Sequence, residues 1–357
     1  MILLLQSDAS APQRSRLQAA LSALGLSADA VRLGERHAMV LTSPTDLPAD
    51  SLARLEGVER VLPLEQRTSL VSETFREGGT TVSMGTARFG GGWMGLIAGP
   101  CTVESEEALE QIARLVKEAG ACALRGGVFK VRTSPHSYQG GGLDALQRMH
   151  RVSRRVGLPF LTEFTDPRQV SVAGELVDGV QIGARHMQNF PLLTEVAALG
   201  KPIMLKRHMG AGVDEWLSAA EYILKAGNEQ VVLCERGVRS PDRHVRFLLD
   251  VSVVPYLKSR IGLPVLVDPS HAAGDWRLVP ALAKAAVAAG ADGLLIEAHP
   301  APESTRCDAS QALPPADLRA LMTYVRELLK LDGRRLSDGA LAPSADDQPS
   351  SPRAASA

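Results

Sequence analysis

The stretch LPVLVDPSHAAG, residues 263–274, contains the pattern that decides the fold. Pro264–Val267 is a short, uninterrupted apolar run, which is typical of a parallel strand buried on both faces. Polar residues, among them Asp268 and His271, follow it, and Leu278–Ala289 then has the composition of a helix. The stretch therefore predicts a strand, a polar turn and a helix in that order.

The same unit recurs between residue 93 and about residue 331. Eight apolar runs are each followed by a helix-compatible segment, such as Glu106–Ala119 or Asp214–Lys225. Eight such units in about 240 residues predict an α/β fold, a (β/α)8 TIM barrel, for which about 250 residues is typical. An open, doubly wound sheet is the alternative. The predicted strands are Gly95–Ala98, Cys122–Leu124, Pro159–Leu161, Gly179–Ile182, Pro202–Leu205, Val231–Cys234, Pro264–Val267 and Gly293–Ile296.

The chain before the barrel has a different organisation. A helical stretch, Gln13–Leu24, and a shorter one, Ser51–Leu55, are interleaved with four apolar runs in the order β-α-β-β-α-β, which predicts a small ferredoxin-like α+β domain. Such a domain has an open sheet face, which often packs against another surface. The predicted organisation is a ferredoxin-like domain at 1–66, a connector with a hairpin at 67–92, the barrel at 93–333 and a disordered tail at 334–357.

Composition excludes several classes of function. The formal net charge is −1 and aromatic residues make up 4% of the chain, so neither a global positive field nor a base-stacking surface is expected, and we predict no nucleic-acid partner. No apolar run approaches the roughly 18 residues of a membrane span. The four cysteines lie far apart in sequence, which indicates a reduced, cytoplasmic protein rather than a disulfide framework.

Positive side chains follow several of the predicted strands. The stretch LRGGVFKVRTSP, residues 124–135, contains three of them and no acidic residue. Active sites of such barrels lie at the carboxyl ends of the strands, so these cations should meet at one mouth. A single Lys or Arg is usually an ordinary surface charge, but a cluster in a cleft requires an anion to neutralise it. This number suits substrates that together carry two phosphates and a carboxylate. The set is Arg125, Lys130, Arg132, Arg185, Lys206 and Arg236.

A second group comes from the first, seventh and eighth strands, which become neighbours when a barrel closes. It consists of Cys101, His271, Glu297 and Asp308. Taken singly, Cys101 is more often a small buried apolar residue. Together the four offer a thiolate, an imidazole and two carboxylates, a mixture that suits Mn, Fe, Co or Zn better than Mg or Ca. Because each ligand must be deprotonated, binding should weaken as pH falls.

The order of these motifs resembles the 3-deoxy-D-arabino-heptulosonate 7-phosphate (DAHP) synthases, in the short-chain, type I beta-like form that carries an N-terminal ferredoxin-like (ACT-like) regulatory domain. The resemblance covers residues 67–331 and includes eight motifs in the family's order. The first 66 residues match by domain type alone. The motifs are AGPCTVES, LRGG.FK.RTSP.S.QG, QIGAR.MQNF, LKR, DEWL.AAEYI, GN..V.LCERG.R, LVDPSHAAG and GADGLLIEAHP.PE.

The resemblance implies a function and a role for each site residue. Such enzymes join phosphoenolpyruvate to erythrose 4-phosphate at the start of the shikimate pathway, in the cytoplasm, under feedback by an aromatic amino acid and as homotetramers. It implies a divalent metal on Cys101, His271, Glu297 and Asp308. Phosphoenolpyruvate is then held by Arg125, Lys130, Arg185, Lys206 and Arg236. The aldose phosphate is held by Lys130, Arg132 and Thr133. Catalytic roles fall to Lys130 as proton carrier, Glu163 as orienter of water, and the metal ligand His271.

Three departures from the family pattern bear on the choice of aldose. Val131 replaces the proline of KPRT, His186 replaces the asparagine of GARN, and His208 replaces the glycine of LKRG. The sister enzyme, 3-deoxy-octulosonate 8-phosphate synthase, takes arabinose 5-phosphate and usually reads KANRS. Here KVRTS lacks the inserted residue, which favours erythrose 4-phosphate. A non-catalytic amino-acid sensor on the same barrel is the remaining alternative.

Cys307, next to Asp308, occupies a position where the family usually has a small hydroxyl residue. We hypothesise that Cys101 and Cys307 can oxidise to a disulfide when no metal is bound. An unchanged mass and free-thiol count after peroxide treatment of metal-free protein would reject this.

Overall fold

The N-terminal unit is a four-stranded antiparallel sheet with two helices. The computed structural model describes residues 1–6, 8–33, 36–62, 70–72, 79–132, 134, 136–305 and 307–337. The strand order is β2-β3-β1-β4, which confirms the predicted ferredoxin-like arrangement. Its elements are β1 Ile2–Leu5, α1 Ala11–Ala23, β2 Ala28–Leu33, β3 Arg36–Leu41, α2 Ala49–Ala53 and β4 Val58–Leu62.

The first strand is buried on both faces. Leu3 and Leu5 pack with the helix residues Leu17 and Leu21 inside the small domain. Ile2 and Leu4, which alternate with them, belong to the same apolar cluster as the barrel helices, because successive side chains of a strand point to opposite faces. The open sheet face expected from the sequence is thus packed against the barrel.

A two-stranded hairpin covers the amino-terminal end of the barrel. Its strands, β5 Val82–Met84 and β6 Ala87–Phe89, pair antiparallel as predicted. Phe89 lies so close to the first barrel strand that a Cβ on Gly95 would sit 2.3 Å from its ring. The hairpin's four inward residues share a cluster with Ile97, Cys122, Cys234 and other inward residues of the strands. The cluster fills this end of the barrel with apolar side chains.

Eight parallel strands close into a barrel. The last of them pairs with the first over five residues, Gly293↔Gly95 to Glu297↔Gly99, which excludes the open sheet. All eight predicted strands are present, with ends that differ by a few residues at most. They are β7 Trp93–Gly99, β8 Ala123–Arg125, β9 Phe160–Phe164, β10 Gly179–Ile182, β11 Ile203–Lys206, β12 Val231–Glu235, β13 Val265–Val267 and β14 Gly293–Glu297.

Helices surround the strands and bury their apolar faces on them. Trp216 in α7 is fully buried, and its Nε1 donates to the carbonyl of Leu205 on β11 at 3.1 Å. None of the helices in the described part of the chain is long and apolar enough to cross a membrane. The helices are α3 Glu106–Glu118, α4 Gly142–Val156, α5 Arg168–Ala173, α6 Phe190–Ala197, α7 Val213–Lys225, α8 Val253–Lys258, α9 Pro269–Ala273, α10 Val279–Ala288 and α11 Pro315–Leu331.

The prediction of a disordered tail from residue 334 is wrong for its first residues. Arg335–Ser337 form a strand, β15, parallel to Trp93–Gly95 at the start of β7. The guanidinium of Arg335 lies 4.2 Å from the ring centroid of Trp93, and Ser337 Oγ accepts from the backbone N of Arg88 at 2.9 Å. These contacts with residues far away in the sequence order a segment whose own sequence has no strand periodicity. Residues 338–357 lie outside the described residues.

Candidate active site

The predicted site residues gather at the carboxyl ends of the barrel strands. A cavity of about 340 Å³ opens there. Cys101 and Glu297 lie beside it, in contact with residues that line it. Thr133 lies outside the described residues. The predicted residues that line the cavity are Arg125, Lys130, Arg132, Glu163, Arg185, Lys206, Arg236, His271 and Asp308.

The four predicted metal ligands meet around Asp308. The thiol of Cys101 donates to Asp308 Oδ2 at 3.0 Å, and His271 Nε2 lies 3.3 Å from Glu297 Oε1. One ligand atom each from His271, Glu297 and Asp308 lies within 4.8 Å of the others. This mixture of sulfur, imidazole nitrogen and carboxylate oxygen fits a divalent ion of intermediate softness.

Asp268 contacts His271, the predicted metal ligand. Its Oδ2 lies 2.8 Å from His271 Nδ1 and accepts from Lys206 Nζ at 2.6 Å, while its Oδ1 accepts from the backbone N of His271 at 2.9 Å as the N-cap of α9. The Nε2 atom is therefore the one that faces the cluster, the arrangement that carboxylates produce at metal sites. Burial lowers the pKa of His271, which favours the neutral ring, the form that a metal ligand requires. Asp268 was not among the predicted site residues, although its i, i+3 spacing from His271 in DPSH is the sequence signal for this role.

The loop that carries Asp308 is held in an unusual backbone conformation. Asp308 has φ 54°, and in the described part of the chain it is the one non-glycine residue with positive φ. Such conformations are sparsely populated and cluster at functional sites. Thr305 Oγ1 donates to the carbonyl of Cys307 at 3.0 Å, and Arg246 lies 3.9 Å from Asp308 Oδ1. The surroundings thus impose the turn that directs Asp308 toward the cluster.

Three of the cations are buried at the inner end of the cavity. Arg125 donates to Glu297 Oε1 at 2.6 Å, and Lys206 pairs with Asp268, so each has a compensating carboxylate. Arg236 is only 5% exposed, and burial lowers the pKa of its guanidinium. Its Nη1 has no hydrogen-bond partner among the residues that the structure describes. A buried, unpaired guanidinium N–H is costly, so this atom is a ready donor for an anionic ligand.

Two further cations lie nearer to solvent. Arg185 is exposed, and its Nη1 donates to the carbonyl of Val131 at 2.8 Å. Arg132 lies in the same loop as Val131, and its Nη1 is 2.6 Å from the sulfur of Cys307. The loop after β8 therefore positions both outer cations. In this loop Val131 replaces the proline that is usual in the family.

Lys130 lies between the inner and outer cations. Its Nζ donates to the carbonyl and the sulfur of Cys101 at 3.2 and 3.1 Å. Burial alone would lower the pKa of Lys130, but the neighbouring sulfur of Cys101 raises it above its ordinary value. A Cβ on Gly127 would lie 2.8 Å from both Lys130 Cδ and the Cys101 carbonyl. Glycine is therefore needed at 127 for the lysine to reach this position.

Glu163 also lines the cavity. Its Oε2 accepts from Gln181 Nε2 at 3.2 Å on the adjacent strand. A Cβ on Gly183 would lie 1.9 Å from Glu163 Oε1, so glycine at 183 makes room for the carboxylate. The geometry leaves Glu163 facing the cavity without a cation partner among the described salt bridges.

The two histidines that depart from the family pattern do not line the cavity among the residues described. His208 accepts from the backbone N of Gly210 through its Nδ1 at 3.1 Å, which turns the ring toward its own loop. His186, the residue after Arg185, is partly buried, and this burial lowers its pKa. Of the three departures, Val131 is the one that lines the cavity.

Arg246 and Phe247, which were not among the predicted site residues, also line the cavity. Arg246 Nη1 donates to Gln311 Oε1 at 2.9 Å, and the guanidinium of Arg236 lies 4.3 Å from the ring centroid of Phe247. Both belong to the long segment after β12, where RSPDRHVR has the interleaved charges of a solvated surface. No local pattern indicates that this segment folds back over the mouth.

Fold and site together define a (β/α)8 enzyme with a cationic mouth and a mixed sulfur, nitrogen and oxygen ligand cluster. Residues 79–331 match the DAHP synthetase I family. The chain therefore belongs to that family and is an enzyme of it.

Individual relatives agree with this membership. The chain is 39% identical over 283 residues to the phospho-2-dehydro-3-deoxyheptonate aldolase of Thermotoga maritima, covering 79% of this chain and 83% of the relative. The crystal structure of a Thermotoga maritima DAHP synthase superposes with a TM-score of 0.75 at 34% identity, covering 94% of this chain and 98% of that one. A 2-dehydro-3-deoxyphosphooctonate aldolase of Nitratidesulfovibrio vulgaris is 32% identical over 255 residues, or 66% of this chain and 92% of that relative.

Proposed function

We propose that the chain catalyses the metal-dependent, aldol-type condensation of phosphoenolpyruvate with D-erythrose 4-phosphate and water. The products are DAHP and phosphate, which makes this the first step of the shikimate pathway toward the aromatic amino acids. The observation that supports the proposal is that the cations form two groups at different depths in the cavity. Arg125, Lys206 and Arg236 are buried at the inner end, and Arg132 and Arg185 lie nearer to solvent. The two groups suit a small phosphorylated acid inside and a second phosphate outside.

The reaction forms a bond between C3 of phosphoenolpyruvate and the aldehyde carbon of the aldose. Water adds to C2, the phosphate leaves from C2, and the aldehyde oxygen takes up a proton. Lys130, between the two cation groups, is positioned to give that proton, and Glu163 to hold the water. The inner cations stabilise the charge that moves through the enol and phosphate during attack. A divalent ion held by Cys101, His271, Glu297 and Asp308 would supply Lewis-acid polarisation of the aldehyde.

The alternative substrate is arabinose 5-phosphate, favoured by the similarity to the phosphooctonate aldolase. One assay separates the two. Phosphate release from phosphoenolpyruvate with Mn²⁺ is measured with each aldose in turn. A much higher kcat/KM with erythrose 4-phosphate supports the proposal, and a preference for arabinose 5-phosphate overturns the choice of aldose. No release with either aldose, in protein that binds phosphoenolpyruvate, would favour a non-catalytic sensor.

We further propose that the N-terminal domain transmits feedback inhibition by an aromatic amino acid. Its sheet shares an apolar cluster with the barrel, and Asp29 on β2 pairs with Lys225 at the end of α7 at 2.9 Å. A ligand on this domain would therefore act on a helix of the catalytic unit. The same assay with tyrosine, phenylalanine or tryptophan tests this. Equal rates with and without all three would reject it.

A further inference from the structure

Cys307 lies beside the four predicted metal ligands. Its sulfur is 3.2 Å from the sulfur of Cys101 and 3.2 Å from Asp308 Oδ2, and the Cys101 sulfur is 3.0 Å from the same oxygen. These three donors form a nearly equilateral triangle, and Asp308 belongs also to the group with His271 and Glu297.

The size of the triangle suits one ion. Its edges of 3.0–3.2 Å put its centre about 1.8 Å from each donor, less than the ~2.3 Å of a zinc–sulfur bond. An ion about 1.4 Å off the plane would therefore lie ~2.3 Å from all three donors. His271 and Glu297 form a second group with Asp308, in which one ligand atom of each residue lies within 4.8 Å of the others, so they can complete the coordination of the ion.

The surroundings of Cys307 are those of a ligand and not of a packing residue. A buried cysteine that fills apolar space is surrounded by carbon. Here the sulfur, in a residue 5% exposed, contacts a second sulfur, a carboxylate and the Nη1 of Arg132 at 2.6 Å. The positive φ of Asp308 and the hydrogen bond from Thr305 to the Cys307 carbonyl fix the direction in which the side chain leaves the backbone.

We propose that Cys307 is a second thiolate donor to the ion held by Cys101, His271, Glu297 and Asp308. The inference rests on the proposed metal dependence of this site and deepens it. A second sulfur makes the donor set softer, and soft thiolate donors select zinc-like ions over manganese. In this chain the site therefore prefers thiophilic ions more strongly than a site with one thiolate and a hydroxyl residue at 307.

The absorption spectrum of bound Co²⁺ reports how many thiolates coordinate the ion. Metal-free, reduced, full-length protein is titrated with Co²⁺ under anaerobic conditions and without substrates, and the sulfur-to-cobalt charge-transfer absorption in the near ultraviolet is followed. We expect Cys307→Ser to lower this absorption to about half. Cys101→Ser should do the same, and the double variant should abolish it. Cys122→Ala, which removes a thiol buried in the barrel interior, is the matched control and should leave the absorption unchanged.

Selectivity provides the second readout. We expect the affinity for Zn²⁺ to fall at least ~10-fold in Cys307→Ser, while the affinity for Mn²⁺ changes less than ~3-fold. Unchanged absorption and unchanged zinc affinity would overturn the proposal.

Because the variant can fail to fold, X-ray absorption at the zinc edge of the unaltered protein supplies an independent count. Two sulfurs support the proposal and one sulfur rejects it. None of these measurements depends on turnover, so a failure here is distinguishable from a failure of the proposed condensation.

Discussion

The two ends of the barrel are built from the same eight strands and have opposite characters. At the amino-terminal end the strands meet the hairpin Val82–Phe89, and every side chain of that cluster is apolar or a thiol. At the carboxyl end the next residues of the same strands are Arg125, Lys206 and Arg236, which surround an open cavity. The amino-terminal end thus buries apolar surface, and the carboxyl end brings charged side chains together.

This difference separates stability from chemistry. Buried apolar area is the main favourable contribution to folding, and it is concentrated at the closed end. Cations at the open end that have no carboxylate partner, such as Arg236, contribute little to folding without their ligands, since like charges repel. Substitutions at the closed end should therefore change the free energy of unfolding, and substitutions of these unpaired cations should change rate or binding constants.

The largest effect should come from Lys130→Ala at the open end. Lys130 is the one cation placed between the inner and outer groups, so its removal takes away the proposed proton carrier. We expect kcat to fall by roughly 10²- to 10⁴-fold with metal content unchanged, as measured by steady-state kinetics and elemental analysis. Near-normal kcat would contradict the role. Lys330→Ala, on the exposed face of α11, is the control.

Phe89→Ala should have the largest effect at the closed end. Phe89 is 2% exposed and packs on Gly95. Truncating a buried phenylalanine costs about 3–5 kcal/mol, which denaturant unfolding would measure, while kcat/KM below the transition should stay close to wild type. The exposed Leu331→Ala should change stability by less than ~0.5 kcal/mol. A large loss of kcat/KM in a folded Phe89→Ala protein would show that the two ends are coupled.

Arg236→Ala should have an intermediate effect. Its Nη1 has no hydrogen-bond partner in the described residues, so its removal should weaken ligand binding rather than break an internal hydrogen bond. A charged hydrogen bond contributes about 1.5–3 kcal/mol, which predicts a KM for phosphoenolpyruvate raised by roughly 10- to 150-fold. The exposed Arg239→Ala, three residues along the same segment, should leave KM unchanged. Equal effects in the two variants would mean that general charge, and not this position, is responsible.

The smallest effect should come from His208→Gly, which restores the residue usual in the family. The His208 ring bonds its own loop and does not line the described cavity. We expect the ratio of kcat/KM for erythrose 4-phosphate to that for arabinose 5-phosphate to change less than ~2-fold. A larger shift would mean that the ring reaches the aldose.

The sequence predicted the parts of this molecule that follow from local pattern. Apolar runs followed by polar residues predicted both the strands and the convergence of His271, Glu297 and Asp308, because the barrel brings equivalent strand ends together. It did not predict Arg246 and Phe247, whose position depends on how a long segment folds back. Nor did it predict that Arg125 and Lys206 are paired with internal carboxylates, since pairing depends on side-chain distances that no spacing encodes.

β15 was missed for a related reason. Three residues are too few for a periodic signal, and Arg335–Ser337 are ordered by Trp93 and Arg88, which lie far away in the sequence. The order comes from the partner strand and not from the segment itself.

The apolar hairpin also has a kinetic consequence. Because apolar side chains fill one end of the barrel, both ligands and the released products must pass through the opening at the other end. A ligand bound to the outer cations, Arg132 and Arg185, would block the path of a second ligand to the buried inner cations. We therefore expect a compulsory order of arrival, with the inner ligand first. An unreactive analogue of the aldose phosphate should then inhibit uncompetitively against phosphoenolpyruvate, and competitive inhibition would exclude this order.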